Sequence, residues 1–297
     1  MRTKTAIIVG GTMAAAGILI CCFVFFFAGF DFSKIATVET YSEKTSTFSS
    51  ESVRQINLEL DGSRVELLQT EQQDISLTYN TGKDMDYAIT ETDGILRIST
   101  KCAPEWFVSF TDGFLSGIID FQHRKVVLRI PEGYEGNIDI KTQNGSVKLD
   151  SLSLTGNISL TTSNASVRGN RISSKTLAIQ NNNGSIHLSQ VRTASLHSVT
   201  GNARITLESV TAEKEAIVEN NNGSIRLARL DCPDILLSTK NASIKGTVSG
   251  NKEDFQISAD VKNGASNLLS TFNSAAQKQL VASAANGSVQ INFTNET

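Results

Sequence analysis

The sequence predicts an all-β fold, a parallel β-solenoid wound from coils of about 20 residues. Three observations predict it. Asn followed by Gly or Ala returns at Asn144, Asn164, Asn183, Asn202, Asn222, Asn241, Asn263 and Asn286, at separations of 20, 19, 19, 20, 19, 22 and 23. Apolar residues keep fixed offsets from these positions: Ile138/Ile140 and Ile158/Leu160 lie six and four before, Val147/Leu149 and Ile186/Leu188 three and five after, and Leu152, Ile172 and Val191 eight after. Finally, QNNNGSIHL (Gln180–Leu188) returns as ENNNGSIRL (Glu219–Leu227), 39 residues on.

Apolar residues two apart on either side of a turn describe short strands with one face inward. A unit this small cannot bury that face alone, so it stacks on copies of itself at the strand spacing of about 4.8 Å. Eight coils give a rod of roughly 40 Å. Asn-Gly is expected to supply positive φ at each corner, with Asn taking that conformation where Ala follows. Asn over Asn predicts an amide ladder. Gly follows Asn144, Asn183 and Asn222 and Ala follows Asn164, Asn202 and Asn241, so a 39-residue coil is the alternative to one of about 20. The register fails around Asn263, where Ser266 stands in an apolar position.

The elements follow in chain order. Residues 1–5 carry Arg2 and Lys4 and form a cytoplasmic N-terminus; residues 6–30 are an uncharged apolar run, long enough for a transmembrane helix. The positive-inside rule places everything after it outside, a single-pass cell-membrane topology, with a cleaved signal peptide as the alternative. Residues 31–52 are Ser/Thr-rich and predict a stalk, and 53–297 the extracytoplasmic solenoid domain. Its first part, 53–100, carries strand patterns without the Asn register and predicts degenerate coils or a cap. Residues 102–122 form an aromatic-rich insertion with Trp106, Phe107, Phe110 and Phe114. It either covers the open end of the solenoid or meets the bilayer or a membrane partner.

The chain has 297 residues, a net charge of −3 and a pI of about 5.7, which gives nucleic acid no electrostatic purchase. Cys21 and Cys22 lie in the apolar run, leaving Cys102 and Cys232 as either a pair or two separate thiols. No Cys-His spacing suggests a metal and no cofactor is expected. His123, His187 and His197 fall at solvated turn or strand positions, and no acidic pair recurs at a coil offset as a solenoid glycosidase would require. Four residues after their Asn, however, come Lys148, Arg168, His187, Arg226 and Lys245, with Thr206 in the remaining coil. Stacking would align them into a basic stripe, serving solubility and edge protection or a site for an anionic wall polymer or lipid head groups.

VVLRIPEGYEGNIDIKTQNGSVKL (Val126–Leu149), followed by repeated hydrophobic-x-hydrophobic-x-Thr-x-Asn-Gly/Ala-Ser units, resembles the bacterial putative-adhesin, or toast-rack, β-repeat family over residues 53–293. The resemblance implies a right-handed single-stranded β-helix at the cell envelope, tied to membrane anchors and envelope-stress signalling. It brings no catalytic residues. The sequence therefore predicts a non-enzymatic binding or structural module of adhesion or stress-related type. A polysaccharide-active enzyme on the same fold is the alternative, and a scaffold partnering another membrane protein through 102–122 is a third reading.

Overall fold

The computed structural model describes residues 41–82, 86–101 and 124–294, together with Gly17 and Phe26. The expected transmembrane helix (6–30, apart from those two residues) and the aromatic insertion (102–122) lie outside the described residues. Among the described residues, no helix is long and apolar enough to cross a membrane. The strands all belong to one compact unit and join in a 19-stranded sheet.

In chain order the strands are β1 (Ser42–Phe48), β2 (Gln55–Leu60), β3 (Arg64–Thr70), β4 (Ile75–Thr81), β5 (Asp86–Thr92), β6 (Ile95–Lys101), β7 (Lys125–Pro131), β8 (Asn137–Thr142), β9 (Val147–Ser153) and β10 (Asn157–Thr162). Then come β11 (Val167–Asn181), β12 (Ile186–Thr200), β13 (Ile205–Asn220), β14 (Ile225–Asp231), β15 (Asp234–Thr239), β16 (Ile244–Val248), β17 (Phe255–Val261), β18 (Lys278–Ala284) and β19 (Val289–Phe293). Strands before an Asn corner stack in parallel as one face, in the order β6-β2-β8-β10-β11-β12-β13-β15-β18-β17. Those after the corner form a second face, β7-β3-β9-β11-β12-β13-β14-β16-β19. The long strands β11 to β13 bend and serve both faces, so the sheet is curled into a solenoid-like rod.

At both ends the rungs stack out of chain order. The first rung, β2 with β3, lies inside the rung made by β6 and β7; the last, β18 with β19, slots between β15/β16 and β17. This swap explains the long separations around Asn263: the chain makes the outermost rung first and then returns one layer inward. The segment 53–100 is thus partly a true rung and partly a cap. Antiparallel β5 covers β6, and β4 and β1 extend the second face beyond β7. The β5–β6 turn is Asp93-Gly94 with φ of 54° and 77°, the primed geometry a two-residue hairpin needs. Residues 42–48, expected in the stalk, are instead edge strand β1. The Thr and Ser residues there suit an exposed extended strand, and Phe48 packs on the core.

The corner asparagines stand in one file. Each side-chain amide donates to the next, from Asn164 to Asn144 (2.9 Å), Asn183 to Asn164 (2.7 Å), Asn202 to Asn183 (2.5 Å), Asn222 to Asn202 (2.6 Å), Asn241 to Asn222 (2.7 Å), Asn286 to Asn241 (2.8 Å) and Asn263 to Asn286 (2.8 Å). Behind this exposed ladder lies a buried one that settles the two periods. Asn181 accepts from Gly184 N (2.9 Å) and donates to the Ala165 carbonyl one rung away (2.7 Å); Asn220 does the same with Gly223 (2.7 Å) and Ala203 (2.6 Å). In the intervening rungs Thr200 and Thr239 donate to the carbonyls of Gly184 (3.0 Å) and Gly223 (3.4 Å). The coil is one rung of 19 or 20 residues; from Asn181 to Thr239 the 39-residue echo is an alternation of Asn-plugged and Thr-plugged corners, while Thr142 and Thr162 occupy the two corners before it. One extra residue is absorbed at the return corner, where the β12–β13 register shifts between Thr193 and Ser195.

Positive φ does not fall at the Asn-Gly corner. Gly184 is required for close approach instead, since a Cβ there would sit 1.8 Å from the Ala165 oxygen and 2.6 Å from the Asn181 amide nitrogen. The left-handed residues are Ser151, Arg171, Gln190, Ser209 and Arg229, with φ between 52° and 67°. Each lies seven after its Asn, where the second face kinks toward the return side. The core is a set of inward files such as Val147–Val167–Ile186–Ile205–Ile225–Ile244, all at 2 % exposure or less. Burial of each such side chain contributes about 2 kcal/mol before ordering entropy is charged against it. The return-side file contains Leu154, Ser174, Thr193, Ala212 and Cys232, all buried.

Candidate functional site

The outward positions four residues after each Asn become direct cross-strand neighbours on the second face. Lys148 pairs in register with Arg168, Arg168 with His187, His187 with Thr206, Thr206 with Arg226, and Arg226 with Lys245. Glu66 and Gln290 bound the file at its two ends. Stacking in register thus brings together five residues that are far apart in sequence, one rung from the next. Lys148 is tied to Asp150 (3.4 Å), and His187 lies 3.9 Å from Glu208. Glu66 is answered by Lys125 at 2.8 Å. Among the described residues, Arg168, Arg226 and Lys245 make no ion pair, and all three are exposed.

Arg204 is an exposed cation in the rung where Thr206 stands in the file. It lies two residues earlier on the same outward side, and its Nε donates to Ser224 at 3.2 Å. Both even offsets face outward on a strand, so parity marks Arg204 in the sequence as an outward charge even though it lies off the four-residue file.

Asp150 anchors the N-terminal end of the stripe. Asn170 donates to it at 3.1 Å, Arg171 at 3.0 Å and Ser151 at 3.2 Å. Partial burial pushes its carboxyl upward, but the hydrogen bonds from Asn170, Lys148 and Ser151, with the charge of Lys148, outweigh it and hold the pKa below the ordinary value. Beyond the kink, Gln69, Ser151, Ser153, Arg171, Ser173, Gln190 and Arg192 line a shallow open groove floored by Leu152 and Ile172. No residue type repeats at these positions, so nothing in the sequence marks the groove.

The remaining candidates are dispersed. His197 faces outward on the first face between Ala178 and Ile217, and His123 lies outside the described residues. Cys232 is a free, buried thiol that donates to the Asp234 carbonyl at 3.1 Å, while Cys102 lies outside the described residues. Among the described residues no three His, Cys, Asp or Glu side chains gather as metal donors. Trp106, Phe107, Phe110 and Phe114 also lie outside the described residues. Their flanks do not: β6 ends at Lys101 and β7 begins at Lys125. In other rungs the same step from a first-face strand to a second-face strand takes a four-residue Asn corner such as 163–166.

The Toastrack DUF4097 family matches residues 53–297. No curated protein matches the chain. Among solved structures, a putative adhesin from Bacteroides fragilis aligns over 84% of this chain and 97% of its own at 12% identity and a TM-score of 0.48. A putative adhesin from Parabacteroides merdae aligns over 85% and 96% at 14% identity and a TM-score of 0.42. A putative cell adhesion protein from Clostridium sporogenes aligns over 86% and 100% at 12% identity and a TM-score of 0.30. With the family match spanning the whole run of rungs, the chain belongs to the Toastrack DUF4097 family.

Proposed function

We propose that this chain is a membrane-anchored, extracytoplasmic binding module of adhesion type, whose basic stripe takes an anionic wall polymer. The observation that carries the proposal is the stripe itself. Cations or His occupy consecutive rungs, and Arg168, Arg226 and Lys245 have charges not spent on an internal partner. A periodic file of this kind suits a polymer with regularly spaced negative charge better than a compact ligand, and its attraction is screened by salt.

The topology supports the anchoring half. The chain enters the rod at β1, beyond β4 on the second face, and the aromatic insertion departs between β6 and β7 in the neighbouring rung. The described residues that flank the two apolar segments, Tyr41 before β1 and Lys101 and Lys125 in β6 and β7, belong to strands stacked at one end of the sheet. In this reading residues 6–30 are the transmembrane helix, Trp106, Phe107, Phe110 and Phe114 meet the bilayer or a membrane partner, and the rod is right-handed. Its parallel layers extend it by ~45 Å. A stress-signalling role fits the same reading, because a ligand held by the stripe and the anchor belong to one chain.

The test is charge reversal. The full chain in detergent micelles should bind purified phosphate-rich wall polymer saturably, with affinity falling as salt rises and without release of reducing ends. Lys148→Glu, Arg168→Glu and Arg226→Glu together should weaken binding by about tenfold or more at low salt. Unchanged binding rejects the stripe, and turnover of the polymer would favour an enzyme on this fold.

A further inference from the structure

The outer rung at the C-terminal end is closed in an unusual way on both faces. On the second face, residues 265–267 begin a further rung against β19: Val289 N donates to the Ala265 carbonyl (3.0 Å) and Asn267 N to the Val289 carbonyl (3.1 Å). The backbone then leaves. In its place the Asn267 side chain donates to the Ile291 carbonyl (2.9 Å) and accepts from Ile291 N (2.9 Å). One amide side chain thus performs the two hydrogen bonds that the next peptide groups of a parallel strand would make. Ser266 turns the chain by hydrogen-bonding Leu268 N (3.0 Å) and O (3.1 Å), and Leu268 folds inward at 4 % exposure. This is why Ser266 breaks the apolar register: Leu268 takes over the core position.

On the first face the same device recurs. The Ser270 hydroxyl accepts from Ala259 N (3.0 Å) and donates to the Ala259 carbonyl (3.4 Å), while Thr271 N reaches the Ile257 carbonyl (2.9 Å). The outer edges of β17 and β19 are therefore satisfied by side chains from one short segment that extends no further strand. An open outer rung would be an edge whose donors and acceptors stand ready for another chain. The opposite end is finished differently, by the antiparallel strands β4 and β1 on the second face and β5 on the first.

We propose that Asn267 and Ser270 form a built-in stop that prevents a second copy of this chain from adding to the C-terminal tip. Opening the stop exposes the edges of β17 and β19, which pair with the same edges of another copy. Only this end is opened, and it is identical in both copies, so the two tips close on each other around a two-fold axis and growth ends at the dimer.

The experiment is the mass of the full chain in detergent micelles, by sedimentation at increasing concentration, with hydrogen exchange at Ala259 and Ile291. Asn267→Ala with Ser270→Ala should give about a twofold rise in protein mass over the unmodified chain. Asn286→Ala breaks the exposed ladder but leaves both edges closed, and should leave the mass unchanged. Ser270→Ala alone removes only a hydroxyl and should show a smaller, concentration-dependent rise, which keeps the test decisive if the double variant folds poorly. Ala259 and Ile291 amides that exchange fast in variants of unchanged mass would overturn the stop. So would an equal rise for Asn286→Ala, or growth beyond the dimer.

Discussion

Asn181→Ala gives the sharpest test of the buried corner plugs. Asn181 is 2 % exposed, and its amide makes bonds of 2.7 Å to the Ala165 carbonyl and 2.9 Å from Gly184 N. Truncation strands one buried acceptor and one buried donor at about 1–3 kcal/mol each, so the expected loss is about 4 kcal/mol. Asn183 also makes two side-chain bonds, to Asn164 (2.7 Å) and from Asn202 (2.5 Å). It is exposed, however, and water replaces what Asn183→Ala removes, leaving a loss of about 1 kcal/mol. In urea unfolding followed by far-UV circular dichroism, a slope of roughly 3 kcal/mol/M separates the midpoint shifts into about 1.3 M and about 0.3 M. If Asn183→Ala costs as much as Asn181→Ala, the exposed ladder rather than the buried plug holds the rungs, and the explanation of the 39-residue alternation fails.

Three further outcomes are expected. Ser198 stands at 0 % exposure in an apolar file between Ile179 and Val218, and its hydroxyl lacks a partner among the described residues. Ser198→Ala should raise the urea midpoint by the equivalent of about 1–2 kcal/mol. Gln190 has φ of 54°, so a β-branched Gln190→Val should cost about 2 kcal/mol, whereas Gln190→Gly should be neutral or stabilising by up to about 1 kcal/mol. Burial pushes the Cys232 thiol from 9.0 up to about 11, only partly opposed by its hydrogen bond to Asp234, and pushes the Tyr134 phenol from 10.0 up to about 12. The folded chain holds both protons more tightly than the unfolded one. Their contribution to stability is complete below pH 9 and drains as pH rises toward 11 and 12. Urea midpoints measured across that range should fall, and Cys232→Ala should remove the part of the fall that begins at the lower pH.

The repeating part of this fold is legible because every rung must solve the same problem. A residue six before Asn144 and its counterpart before Asn164 face the same core, so both are Ile, and the offset survives wherever stacking is regular. The stripe follows from the same arithmetic, since a residue four after each corner has no choice of face. What the sequence conceals is which rung touches which. Asn241, Asn263 and Asn286 carry interchangeable side chains, and an amide ladder accepts any neighbour, so nothing local marks Asn286 as the one beside Asn241. The glycine beside each corner misleads in a related way: Gly184 signals left-handed backbone, yet it is there because Asn181 and Ala165 leave no room for a Cβ. The true left-handed file runs through Ser, Arg and Gln, types that do not signal positive φ. Arg204 reads as an outward charge but falls outside the file, two residues from the others, and β1 is hidden because Thr- and Ser-rich sequence serves an exposed edge strand as well as a linker.

The order of rungs at the C-terminal end is the claim on which the swapped topology, the ladder and the tip all depend, and cysteine cross-linking tests it directly. In a chain freed of its native cysteines, Asn241→Cys with Asn286→Cys places two thiols on adjacent rungs, about 4.8 Å apart and within disulfide reach. Asn241→Cys with Asn263→Cys places them two rungs apart, about 10 Å, beyond it. Mild oxidation should close the first pair and leave the second reduced; a disulfide between positions 241 and 263 with none between 241 and 286 would contradict the account.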